Sequence, residues 1–152
     1  MKTLSISDQD ARKIYPSAIP ELKTILEASF SKGFFSQKIT DRIKTFEDAC
    51  AEIGEDPVNP KFIIGEPDEI AYRKLKVIIK VLNEGWVPDW NNSSQYKWRP
   101  WFYLNAPGFR FSGTSYVFTH STVGSRLCFK SEELCEYAAN QFIDIYKDYF
   151  TA

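Results

Sequence analysis

The chain has one histidine, His120, and three cysteines, Cys50, Cys128 and Cys135, in 152 residues. One histidine excludes a histidine cluster for a metal. An odd cysteine count without C-x-x-C spacing suits reduced thiols better than a disulfide framework or a zinc site. Neither G-x-G-x-x-G nor a GK[ST] phosphate loop occurs, so no nucleotide or cofactor is expected. The longest strongly apolar run lies within IIKVL, too short to span a bilayer. The first residues, MKTLSISDQDARK, lack the apolar stretch of a signal peptide, so a cytoplasmic location away from membranes is expected. On that expectation the overlapping sequons at Asn91 and Asn92 are loop residues.

Another absence is local. Between Trp90 and Ser131 there is no Asp or Glu, and these 42 residues carry Lys97, Arg99, Arg110, Arg126 and Lys130. Residues 1–89 sum to −2 (13 basic, 15 acidic) and residues 132–152 to −4 (one basic, five acidic). The net charge of −1 and pI near 5.9 exclude a chain that coats duplex DNA through overall charge, yet they conceal one basic segment. That segment also holds 11 of the 24 aromatic residues. With 43% hydrophobic and 26% charged residues the chain is an ordinary globular one, long enough to bury a core.

Helix signals dominate the first half. Ser7 precedes a short helix in DQDARKIY, and IPELKTILEASFSKG reads as a second, stopped by Gly33. Thr40 caps a third, DRIKTFEDACAEIG, whose stripe is Ile43, Phe46, Cys50 and Ile53. The Pro-rich connection EDPVNPKFIIGEP reads as extended, with a short strand expected at Phe62–Ile64. Pro67 then opens DEIAYRKLKVIIKVLNEG, with Asp68 and Glu69 in the first turn and Ala71, Leu75, Ile78 and Leu82 as its core stripe.

After Gly85 the pattern changes to short aromatic and β-branched runs: YKWRPWFYL, FRFSGTSYVFT and SRLCF. They predict a three-stranded antiparallel meander, with Pro100 at an edge or bulge. Ser131 caps one long closing helix, EELCEYAANQFIDIYKDYF, with Leu134, Ala138, Phe142, Ile145 and Tyr149 inward. The predicted fold is therefore α+β in one domain over 1–152, with residues 1–39 as a loosely packed helical lobe.

The stretches ITDRIKTFEDACAEIG, PDEIAYRKLKVIIKVLNEGWVPDW and SRLCFKSEELCEYAANQFIDIYKDYF resemble a family of small proteins encoded by prophages and other mobile elements of gut bacteria. The resemblance covers most of the chain from Ile39 onward. It implies an accessory protein of a phage or integrated element and carries no site residues with it.

Function then turns on residues 96–104. Strand alternation puts Tyr96, Trp98, Pro100, Phe102 and Leu104 on one face and Lys97, Arg99, Trp101 and Tyr103 on the other. Large rings in a half-covered sheet are ordinary core material, and strands are poor in acids anyway. If the first face is inside, however, cations and rings alternate in water, the arrangement used to bind single-stranded nucleic acid. The predicted site is therefore Lys97, Arg99, Trp101 and Tyr103, supported by Arg126 and by Arg73, Lys76 and Lys80 on one helix stripe. A protein partner would use the same rings, as an adaptor, an inhibitor of a host protein or a virion assembly component would. The segment His120–Arg126 has the composition of an anion nest as well as of a plain hairpin turn. Carboxylate pairs Asp144/Asp148 and Glu132/Glu136 read as solvated helix surface, and no enzyme activity is expected.

Overall fold

In the structure, a computed structural model, residues 5–122 and 126–152 are described. Contacts divide the chain into two compact units, one ending at Asp41 and one spanning Arg42–Ala152.

The first unit is helical. Ser7 accepts from the Asp10 N–H and starts α1 (Asp8–Ile14), as its capping chemistry predicts. Helix α2 (Pro20–Phe30) carries Pro at its first position and ends earlier than Gly33. Ser31 takes φ 71° there, and Gly33 falls inside a further short helix, α3 (Lys32–Ser36). These elements close on rings: Tyr15 stacks on Phe35 at 4.0 Å, and Phe34 meets both Phe30 and Phe35. The Arg12 guanidinium lies 3.6 Å over Phe34 and also donates to the Phe34 carbonyl.

A single turn, α4 (Ile39–Arg42), leads on, and the helix predicted after it does not begin at Thr40. Its start lies at Thr45, whose extended backbone and hydroxyl cap α5 (Phe46–Ile53). Asp48, three residues later, reaches back to the Thr45 N–H and completes a capping box. The linker holds a 3₁₀ turn at Pro60–Phe62 in place of the expected strand, because the Asn59 side chain accepts from Lys61 N–H.

Helix α6 (Pro67–Leu82) is the centre of the second unit, packed on α5 and on α8 (Ile143–Thr151). Its predicted stripe of Ala71, Leu75, Ile78 and Leu82 is buried throughout. Strands β1 (Lys97–Tyr103) and β2 (Arg110–Val117) form an antiparallel hairpin, and α7 (Glu132–Gln141) packs on both. A bulge at Ser112 lets Gly113 oppose Trp101 while Phe111 opposes Phe102.

The sheet has two strands among the described residues, not the predicted three. Of SRLCF, where Ser125 lies outside the described residues, only Phe129 pairs, exchanging both backbone bonds with Trp98 at 2.8 and 2.9 Å. In that register Pro100 comes opposite Leu127, and proline has no N–H to continue the ladder. The other side of the same segment is held by the buried Asn83, at the end of α6. Its amide donates to Cys128 O and accepts from Lys130 N–H, both at 3.0 Å.

The closing helix is likewise two helices. Ser131 caps α7 as predicted, but Phe142, at φ −112° and ψ 30°, breaks the run. No proline or glycine marks the break. Beyond it, Tyr146 rather than Tyr149 is the fully buried ring, 4.8 Å from Phe102. Tertiary contact with the hairpin accounts for the altered face.

Candidate functional site

The predicted residues of β1 separate into two groups. Lys97 is fully buried, contrary to its expected place on a wet face. The loop before β1 covers it: Lys97 Nζ donates to Gln95 O at 3.1 Å and Asn92 O at 3.5 Å, and lies 5.2 Å from the Trp90 ring. Carbonyl oxygens and an indole face thus stand where a carboxylate partner is usual. Lys97 is therefore removed from any surface site.

From Arg99 onward the same face opens. Trp101 is 54% exposed and Tyr103 48% exposed. Trp101 Nε1 donates to Ser115 Oγ at 2.6 Å, a diagonal cross-strand contact that fixes the indole orientation. The Arg99 guanidinium lies 5.8 Å from the Trp101 ring and donates to Thr122 Oγ1 at 3.0 Å. Arg110, the register partner of Tyr103, stacks 4.3 Å over that ring. Its Nη1 also reaches the carbonyls of Asn105 and Gly108, which tie the guanidinium to the hairpin turn. Two rings and two guanidinium groups therefore alternate across the outer face, without an acidic side chain in either strand or the turn.

The other predicted cations do not join this cluster. Arg73 is structural: it donates to Lys61 O and Ile64 O at 3.0 Å and to Glu69 at 2.9 Å, closing the linker against α6. Lys76 and Lys80 are exposed, but on α6, whose main packing partners are α5 and α8. Arg126 is exposed beside residues 123–125. The nest predicted over His120–Arg126 includes those three, and so lies partly outside the described residues. Sequence reasoning counted Arg110 as charge but left it out of the site. Only the hairpin register, set by a turn of long-range consequence, places it on Tyr103.

Opposite this surface the hairpin carries a second ring cluster. Tyr96, Trp98, Tyr116 and Phe118 contact one another at 4.7–6.0 Å, with Tyr96 and Tyr116 about half exposed. Between the free edge of β1 and α8 lies a cleft of about 270 Å³, reached by Arg99, Trp101 and Phe102 from the strand. His120 is exposed and does not line it.

The thiols are poor nucleophile candidates. Cys50, Cys128 and Cys135 are all buried, and none of them forms a disulfide. Burial pushes Cys128 up to about 11, against a smaller lowering by Lys97, and raises Cys135 further. Among the described residues no group of three or more His, Cys, Asp and Glu is placed to hold a metal ion. No helix among them is long and apolar enough to cross a membrane. No known protein family, curated protein or solved structure matches this chain.

Proposed function

We propose that the protein is a non-enzymatic binding module of a phage or mobile element, taking single-stranded nucleic acid on the outer face of its hairpin. The observation that carries this reading is the exposed pair Trp101 and Tyr103, alternating with Arg99 and Arg110 in an acid-free segment. Each ring offers a face on which a base can stack, and each guanidinium can meet a phosphate. The indole and phenol are already oriented by Ser115 and Arg110, so little ordering is left to oppose binding. Arg126, Lys76 and Lys80 are exposed outside this face and contribute only to the wider field.

Fluorescence anisotropy with a labelled single strand of about 16 nucleotides tests this reading. Affinity is expected to fall steeply between about 50 and 200 mM salt. Absence of binding at the lower salt, or binding that ignores salt, refutes it.

The Tyr96–Trp98–Tyr116–Phe118 cluster favours a second reading, a protein-interaction factor such as an adaptor, host-protein inhibitor or virion assembly component. Half-exposed aromatic clusters of this kind form the centres of protein interfaces. A stoichiometric partner lost on Tyr116→Ala, with no binding of oligonucleotides, would favour it.

A further inference from the structure

Beyond Pro100 the edge of β1 has no neighbouring strand among the described residues. Trp98 gives its N–H and C=O to Phe129, so alternation aims those of Phe102 to the same side, away from β2. No described residue pairs with them there. This edge, together with α8 and the segment around Thr122 and Leu127, encloses the 270 Å³ cleft. Its walls are mainly apolar, with Trp101, Phe102, Leu104 and Phe150 among the large side chains.

Arg99 is the one cationic side chain among the described residues that line the cleft. Its Nη1 is engaged by Thr122, while its Nε is buried and has no hydrogen-bond partner among the described residues. None of them pairs a carboxylate with it either. The Tyr146 hydroxyl, on a residue that also lines the cleft, is a second buried polar atom without a partner among them. Both atoms are sealed from the cleft, so a ligand there would meet the outer part of the Arg99 guanidinium, whose remaining donors suit an oxyanion.

Three properties define the ligand. Aromatic walls select a flat apolar body. A volume slightly under the usual range for drug-sized ligands, about 300–1,000 Å³, limits it to one or two rings. A single cation fits a monoanion, whereas a phosphate dianion would find no second positive partner. We propose that the cleft is a binding site for small aromatic monocarboxylates, the carboxylate held by Arg99 and the ring by Phe102, Phe150 and Trp101. This site uses the strand edge; it shares Arg99 and Trp101 with the neighbouring face, but it does not require that nucleic acid binds there.

Calorimetric titration with 2-naphthoate, beside its neutral analogue 2-naphthamide, tests the assignment. The acid is expected to bind at one molecule per chain and at least about tenfold more tightly than the amide, the difference due to a charge-assisted bond. Arg99→Gln should bring the acid down to the amide's affinity. Leu104→Trp, at an exposed position where a larger ring can be accommodated, should fill the cleft and weaken both ligands. No saturable binding of naphthoate, equal affinities for acid and amide, or indifference to Leu104→Trp would each overturn the proposal.

Discussion

The two ends of one face of β1 have opposite fates. At the first, Lys97 is sealed beneath the Trp90–Gln95 loop with its ammonium on carbonyl oxygens. At the second, four residues on, Trp101 stands half in water with its indole pinned to Ser115. By residue type alone the order should be reversed, since lysine is seldom buried and tryptophan usually is. What decides is the covering material. The loop preceding β1 folds over Lys97 alone on this face. Beyond Pro100 no third strand among the described residues extends the sheet. A cation thus became scaffold, and a ring became surface.

The largest expected effects lie at the sealed end. Lys97→Ala removes a fully buried stem and leaves a cavity, and should cost about 2–4 kcal/mol in a urea unfolding titration. Lys97→Met keeps the stem and removes the charge. Its change should stay within about 1.5 kcal/mol, because an apolar replacement of similar volume escapes the desolvation of the ammonium. If Met is as costly as Ala, the carbonyl cage rather than the stem is what stabilises this end. Neither variant should alter oligonucleotide binding or its salt dependence, provided it is measured where the protein stays folded.

Asn83 ranks next. Its two bonds hold the Cys128–Lys130 segment against α6, opposite the Trp98–Phe129 bridge. Asn83→Ala should cost about 2–3 kcal/mol, since both backbone partners lose a bond in a buried place. The exposed end should behave in the contrary way. Trp101→Ala should change folding stability by under about 1 kcal/mol yet weaken oligonucleotide binding by about 1–3 kcal/mol. Arg99→Gln should lower the magnitude of the salt slope by about 0.7, the contribution of one phosphate contact to a single strand. A Trp101→Ala protein that binds normally would leave this face without the role proposed for it.

These contrasts also show what the sequence could disclose. Local chemistry was readable: Ser7 and Ser131 as caps, Pro67 as a helix start, and the buried stripe of α6 all follow from side chains within one turn. The helix expected to start at Thr40 starts instead at Thr45, where Asp48 supplies the reciprocal bonds of a capping box. The break at Phe142 has no local breaker; it reflects Tyr146 and Phe150 packing on Phe102, which is distant in sequence. The outward setting of Trp101 followed from alternation, given which face is inside. The burial of Lys97 did not, since alternation says which way a side chain points and nothing about what lies on top of it.

The smallest expected change in stability concerns Pro100, and it tests why the strand's second end is open. Continuing the Trp98–Phe129 register would bring Leu127 O opposite residue 100, so Pro100→Val supplies the N–H that a further bond there needs. The added bond gains about 0.5–1.5 kcal/mol, while losing proline's restriction of the unfolded chain costs about 0.4–1 kcal/mol. The two nearly cancel, so the unfolding midpoint should hardly move. Hydrogen exchange is the sharper measurement. In the Pro100→Val protein the new amide should be strongly protected, the Leu127 segment should advance along the edge, and affinity for 2-naphthoate should fall as the cleft narrows. A freely exchanging amide at this position would mean that the segment is held away from the strand by its other attachments, Asn83 among them, and that proline did not open the edge.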